Sequence, residues 1–351
     1  MNEHTPNFSS GWRMPAEWET QSAVLLSYPQ NPLTWPGCRK EMEEAYAAFA
    51  AAVTKYEDLK VNCLPVSAQE RALELFRNAG ADCSRIEFLP VETNDAWCRD
   101  HGPVFVRNLR TGERAALDFQ YNAWGGKFPP WDLDNAAARK MSEFLGIPCL
   151  PVPLVLEGGA LEVNGAGALL STESVVLNPN RNPGLTKERA EEIFRDVLGT
   201  ECVLWLKSGL EGDDTDGHID TLVRFFRKDA VLAAVDEKPS SINHDALKRN
   251  FDALKRMRLP DGSPLEVLAL PSPDPIRPEG WREEVLPATY ANFLIINGAV
   301  LVPTYRQDKN DAKALEIIGS AFPGRDIVPL DCVDILLEGG ALHCLSQQMI
   351  P

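Results

Sequence analysis

Residues 211–220 hold the densest set of groups in this chain that could move protons. Glu211, Asp213, Asp214, Asp216 and Asp220 surround one histidine, His218, with Gly212 and Gly217 among them. An apolar run follows at 221–226 and reads as a strand. If that strand begins near His218, then His218 and Asp220, two residues apart, point to the same face of a sheet. A histidine and a carboxylate sharing a face at the mouth of a glycine-rich turn can do general acid–base work. A solvated acidic turn before a hairpin, able to attract calcium, accounts for the same residues.

Three further places carry chemistry. In 94–103, Asp95 and Asp100 bracket Trp97, ahead of the strand-like run 104–106. Carboxylates beside an aromatic face are what a planar cation needs, namely charge pairing and a π surface. The plainer reading pairs Arg99 with one of the aspartates and buries the Trp. Glu157 sits between the apolar run 154–156 and two glycines, so burial would demand a partner. His218 could be that partner; a helix or turn cap is the other reading. His343-Cys344 precedes the polar group Ser346, Gln347 and Gln348. A thiol there becomes a nucleophile if a nearby cation or histidine lowers its pKa.

These residues need elements to hold them. Strand-like runs at 21–28, 61–65 and 86–91 alternate with helical patterns at 39–56 and 68–78. Helices are predicted again at 132–145, 187–198, 242–257 and 308–322, with Thr186 as N-cap and Gly199 as stop for the second. Hairpins 160–171 and 293–303 turn at Asn164-Gly165 and Asn297-Gly298. This alternation is α/β. The hexapeptide Leu156-Glu157-Gly158-Gly159-Ala160-Leu161 recurs as Leu337-Glu338-Gly339-Gly340-Ala341-Leu342. Each copy is expected to open a strand at an equivalent place in a repeated unit. About five units of roughly 60–70 residues fit the chain. No Pro- or Ser-rich linker divides them, so 1–351 reads as a single domain with strand starts facing a common centre.

Composition narrows the function. The net charge is −16 and no basic block stands out, which disfavours nucleic acid and anionic membranes and mildly favours a cationic ligand. No apolar run reaches the roughly 18 residues of a membrane helix, and no signal peptide is visible. Cys38, Cys63, Cys83, Cys98, Cys149, Cys202, Cys332 and Cys344 form no CxxC pair, as expected of reduced thiols in the cytoplasm.

Trp97-x-Arg99-Asp100-x-Gly102-Pro103, Glu157-Gly158-Gly159, Gly217-His218-Ile219-Asp220 and Gly339-Gly340-x-x-His343-Cys344-x-x-Gln347-Gln348 resemble the signatures of the agmatine deiminase family. That family groups with Porphyromonas-type peptidylarginine deiminases in the guanidine-modifying superfamily. The likeness runs from Gly11-Trp12-Arg13-Met14-Pro15 to the last residues. It implies a five-bladed pseudo-symmetric α/β propeller of ββαβ units, the pentein fold. It implies Cys344 as the nucleophile giving an amidino-thioether, and His218 as the proton shuttle for ammonia and water. Asp100 and Asp220 would clamp the guanidinium, and Glu157 would orient His218. Trp97 and Gly340 are expected at the substrate, with Asp95, Asp214 or Glu211 receiving a second cation. No metal or organic cofactor is implied, and the partner is a small cationic guanidino substrate; a homo-oligomer is left open. The family pattern usually has glycine and asparagine where this chain has Glu338 and Ala341. Substrate positioning is therefore the open question, with agmatine set against free, peptidyl or methylated arginine. Two other readings stand beside this one. One is a metal-dependent amidohydrolase using His218, Asp220 and His101 as ligands. The other is a propeller that only binds partners.

Overall fold

The structure, a computed structural model, describes residues 11–281 and 283–351. Its architecture is mixed α/β, and five small sheets repeat one pattern. In each, two strands pair antiparallel and a helix then leads to a further strand parallel to the second. Antiparallel neighbours need only a turn, whereas a parallel return needs a crossover long enough for a helix.

The third sheet shows the unit most simply. Glu162–Val163 pairs antiparallel with Ala168–Thr172, and Cys202–Leu206 returns parallel after the helix Lys187–Leu198. Thr186 Oγ1 accepts the Arg189 amide at 3.3 Å and caps that helix, as the sequence predicts. The helix buries Ala190, Phe194, Val197 and Leu198, a stripe at helical spacing. Ala168–Thr172 is buried on both faces, which is why its apolar residues Ala168, Leu169 and Leu170 run without alternation.

The fourth sheet repeats this with Val223–Arg227, Ala230–Val235 and Glu266–Pro271 around helix His244–Leu254. The fifth uses Leu294–Ile296, Ala299–Thr304 and Asp326–Asp331 around helix Asp308–Ala321. The second sheet orders Trp12–Arg13, Val104–Asn108, Arg114–Gln120 and Cys149–Val155. The first joins distant parts of the chain. Ser346–Met349 runs antiparallel to Ala23–Ser27, and Asp58–Asn62 and Ile86–Leu89 follow in parallel. The hairpins at Asn164-Gly165 and Asn297-Gly298 form as expected.

Some expectations shift. The helix expected over 132–145 is two, Asp132–Asn135 and Ala137–Leu145. Tertiary bonds claim the junction: Asp134 Oδ1 accepts the Asn94 and Asp95 amides at 2.7 and 3.3 Å, and Asn135 Oδ1 the Tyr121 amide at 2.8 Å. The strand expected over 61–65 is Asp58–Asn62, set by its register against Ala23–Ser27. Neither hexapeptide opens directly into a strand. A 3-10 turn, Gly158–Ala160, follows Glu157, and the helical turn Leu342–Leu345 follows Ala341. Among the described residues no helix is long and apolar enough to cross a membrane.

Candidate active site

The segment just ahead of each sheet's first strand carries the polar residues. They are the turn Cys98–His101 before Val104–Asn108, Glu157 before Glu162–Val163, and the 3-10 turn Ile219–Thr221 before Val223–Arg227. Asn292 precedes Leu294–Ile296, and Leu342–Leu345 precedes Ser346–Met349. His218 and Asp220 are therefore not on a strand face, contrary to expectation. The chain turns through Ile219–Thr221 first, and both side chains are buried by that turn.

Two of these segments, through Asp100 and Cys344, border a pocket of about 440 Å³. Trp97, Trp124 and Phe128 are its aromatic walls, Asp95, Asp100, Asp214 and Glu338 supply carboxylates, and Cys344 lines it with Gly340 beside it. Two glycines are dictated by close approach. A Cβ on Gly340 would stand 2.3 Å from the Trp97 ring and 3.0 Å from Cys344 Cβ. One on Gly159 would stand 2.4 Å from His218 Nδ1 and 2.9 Å from Asp100 Oδ1.

Behind the pocket, His218 is fully buried between two acids, with Nδ1 3.7 Å from Asp100 Oδ1 and Nε2 3.6 Å from Glu157 Oε2. Asp100 is fixed in turn by the Gly159 amide at 3.0 Å and by Trp124 Nε1 at 2.9 Å. Arg181 Nε donates to both oxygens of Glu157 at 2.8 and 3.0 Å, so Glu157 is no backbone cap. Asp220 Oδ2 accepts from His343 Nδ1 at 2.6 Å and lies 3.5 Å from Cys344 Sγ. His343 Nε2 meets Glu17 Oε2 at 2.8 Å, so this ring bridges two acids. Asp220 Oδ1 and both ring nitrogens of His218 are buried with no hydrogen-bond partner among the described residues.

The charge states follow from these contacts. Burial disfavours an imidazolium at His218, but Asp100 and then Glu157 outweigh it and raise its pKa to about 9. Burial lifts Asp100 to about 6, with His218 opposing. Burial also acts against ionised Glu157 and Asp220. Glu157 is nonetheless held below the usual range by His218 and Arg181, and Asp220 by His343. Burial, then Asp220 and Asp100, push the Cys344 thiol well up. Near neutral pH the site thus holds an imidazolium, ionised acids and a protonated thiol.

Of the residues expected from sequence, Cys344, Asp100, Trp97, Asp95, Asp214 and Gly340 line the pocket. His218, Asp220 and Glu157 lie buried behind it. Glu211 is exposed and off the pocket, its amide bonded to Asn243. Arg99 does not pair with an aspartate; it donates to Gln347, Gln348 and the His343 carbonyl. His101 points elsewhere, with Nε2 2.8 Å from Ser27 Oγ, so it does not complete a metal triad with His218 and Asp220. Among the described residues no group of three His, Cys, Asp or Glu is placed to hold a metal, calcium at the acidic turn included. Sequence reasoning missed Glu17, Trp124, Arg181 and Asn292. Arg181 alone carried a signal, as the one charge in the Asn- and Pro-rich stretch 178–183.

A thiol, an imidazolium and a pair of acids around an aromatic, acid-rimmed cleft define the class: a cysteine-type site shaped for a planar cation. The chain belongs to the Porphyromonas-type peptidyl-arginine deiminase family, whose model matches residues 13–350. An agmatine deiminase of Pseudomonas syringae pv. tomato is 35% identical, over 97% of this chain and 96% of that protein. A structure of the agmatine deiminase of Enterococcus faecalis is 33% identical with a TM-score of 0.89, covering 97% of this chain and 96% of that one. A C. jejuni agmatine deiminase with substrate bound is 32% identical with a TM-score of 0.87, again over 97% and 96%.

Proposed function

We propose that this chain is an agmatine deiminase, a hydrolase of linear amidines that converts agmatine and water to N-carbamoylputrescine and ammonia. One observation carries the reading: Cys344 Sγ lies 3.5 Å from Asp220 and lines a pocket walled by aromatics and edged with acids. Likeness to agmatine deiminases over nearly the whole chain supports the substrate.

In this mechanism Asp100 and Asp220 hold the guanidinium nitrogens and aim its carbon at Cys344. Asp220 Oδ1, buried and without a hydrogen-bond partner among the described residues, is the acceptor such a nitrogen would satisfy. The arriving positive charge counters the acids that keep the thiol protonated, so the thiol gives its proton to solvent as substrate binds. The thiolate adds to the carbon, forming the S–C bond. His218 gives its proton to one nitrogen, and the C–N bond breaks to release ammonia. Neutral His218 then takes a proton from water, and the hydroxide adds to the amidino-thioether. The C–S bond breaks, returning the thiolate; the ureido product gives its extra proton to solvent, where the released ammonia takes one up, and the thiolate regains its proton from solvent once product has left. Glu157, held by Arg181, keeps His218 oriented and charged.

The same reading takes the five sheets as blades of a pseudo-fivefold α/β propeller, 1–351 forming one catalytic unit. The repeated strand order, with polar residues ahead of every first strand, supports it. A cytoplasmic setting fits eight free thiols. The test is mass spectrometry of enzyme quenched during agmatine turnover. An amidino adduct on Cys344 is expected; turnover without one, or full activity of Cys344→Ala, overturns the mechanism. Faster release of citrulline from arginine or a C-terminal arginyl peptide than of N-carbamoylputrescine from agmatine overturns the substrate.

A further inference from the structure

This chain carries Glu338 and Ala341 where the family pattern usually has glycine and asparagine, and the structure separates the two changes. Ala341 is buried and does not line the pocket, whereas Glu338 does, along with Gly339, Gly340 and Cys344. Glu338 Oε1 accepts the Trp35 amide at 2.9 Å, and the Trp35 ring packs on the Trp97 wall with centroids 5.7 Å apart. Trp35 is itself buried, and its Nε1 donates to the Ile335 carbonyl at 3.0 Å. Its backbone holds a φ of 51°, a left-handed conformation unusual for so bulky a residue. Such strain persists where the surroundings over-determine it, and it gathers at functional sites. One anchored tryptophan thus backs the aromatic wall and seats this carboxylate.

We propose that Glu338 determines which guanidines this pocket takes, a role that rests on agmatine being the substrate. It accepts the protonated amine at the far end of a guanidinoalkylamine and repels the carboxylate of arginine. Reach supports this. Gly340 packs so closely that a Cβ there would stand 3.0 Å from Cys344 Cβ. Glu338 is two residues back along the chain, at most about 7 Å of extended backbone before its own side chain is counted. The six bonds from guanidinium carbon to amine nitrogen in agmatine span about the same length. Charge supports it as well. At Asp214 a cation is already present, because Lys127 Nζ donates to the Asp214 carbonyl at 2.5 Å and to Asp216 at 2.8 Å. An amine seated there would meet a like charge. Asp95 Oδ1 is turned to its own chain, taking the Ala96 amide at 2.7 Å. A carboxylate in place of the amine would face all three acids, a cost that rejects arginine rather than merely preferring agmatine.

The test compares the native enzyme with Glu338→Gln, Asp95→Asn and Asp214→Asn on agmatine, arginine and pentylguanidine. Pentylguanidine sets a methyl group where agmatine has its ammonium. The readout is kcat/KM for agmatine divided by kcat/KM for pentylguanidine, a ratio from which the fraction of correctly folded enzyme cancels. We expect Glu338→Gln to lower it at least about tenfold, the worth of a hydrogen bond to a charged group. Arginine should gain on pentylguanidine in the same variant. A smaller fall in Glu338→Gln, a larger one in Asp95→Asn or Asp214→Asn, or no gain by arginine overturns the inference while agmatine remains the substrate. A native enzyme that acts on arginine and releases no ammonia from agmatine overturns the substrate assignment, and this inference with it.

Discussion

His218 and His101 are both buried, both beside a carboxylate and both just ahead of a strand, yet the structure drives them to opposite charge states. Burial lowers His101 to about 3, and nothing opposes it effectively. Its neighbour Asp134, 3.7 Å from Nδ1, is itself pushed well up by burial and by Asp95, so it offers little negative charge. Its other nitrogen meets only the neutral Ser27 hydroxyl. His218 suffers the same burial but faces two acids, one kept ionised by Arg181, and rises to about 9. A histidine beside an acid is therefore not enough. The acid must have its own cation, or burial neutralises both.

The most severe test of this contrast is a pair of substitutions. His218→Gln should cut kcat/KM for agmatine by about 10²–10⁴, the worth of a lost proton-transfer group. His101→Gln should cost less than about tenfold, below that range. Equal losses would break the contrast. Next, Glu157→Gln removes one of the charges sustaining the imidazolium, so the alkaline limb of kcat/KM should move down from about 9 by about 1–3 pH units. An unmoved limb would mean that Asp100 alone sets it. In the native protein kcat/KM should peak between about 6 and about 9, falling in acid as Asp100 is protonated and in alkali as His218 loses its proton.

Stability should move less. His101 has a lower pKa folded than unfolded, so between about 3 and 6.5 the unfolded chain binds more protons, and stability falls as pH drops through that window. For His218 the sign reverses: its contribution is full below 6.5 and is lost as pH rises through about 9. His101→Gln should flatten the acid loss by roughly 2–4 kcal/mol in denaturant titrations. The smallest expected effect is none: dialysis against a chelator should leave activity unchanged, and a loss restored by zinc would revive a metal role.

Local rules reached much of this protein. Asn-Gly turns, a threonine cap and helical apolar stripes depend on residues close in sequence, and they were legible. The repeated hexapeptide marked two equivalent places, but identical residues met different surroundings. Glu157 is buried against Arg181, whereas Glu338 is half-buried and takes the Trp35 amide at 2.9 Å. Tertiary contact decides such outcomes. The turn at Ile219–Thr221 replaced the expected strand start, and Glu17 reached His343 from the far end of the chain. Asn292 was silent because one asparagine before an apolar strand looks like any turn. Only its contact with the Cys344 sulfur, at 3.1 Å, sets it apart.

The strand Ser346–Met349 begins two residues beyond the sulfur and zips onto Ala23–Ser27 from the opposite end of the chain. The turn that carries Cys344 is therefore seated only once two stretches far apart in sequence have met. Loss of that pairing would unseat the turn while leaving the strand order of the other four sheets intact.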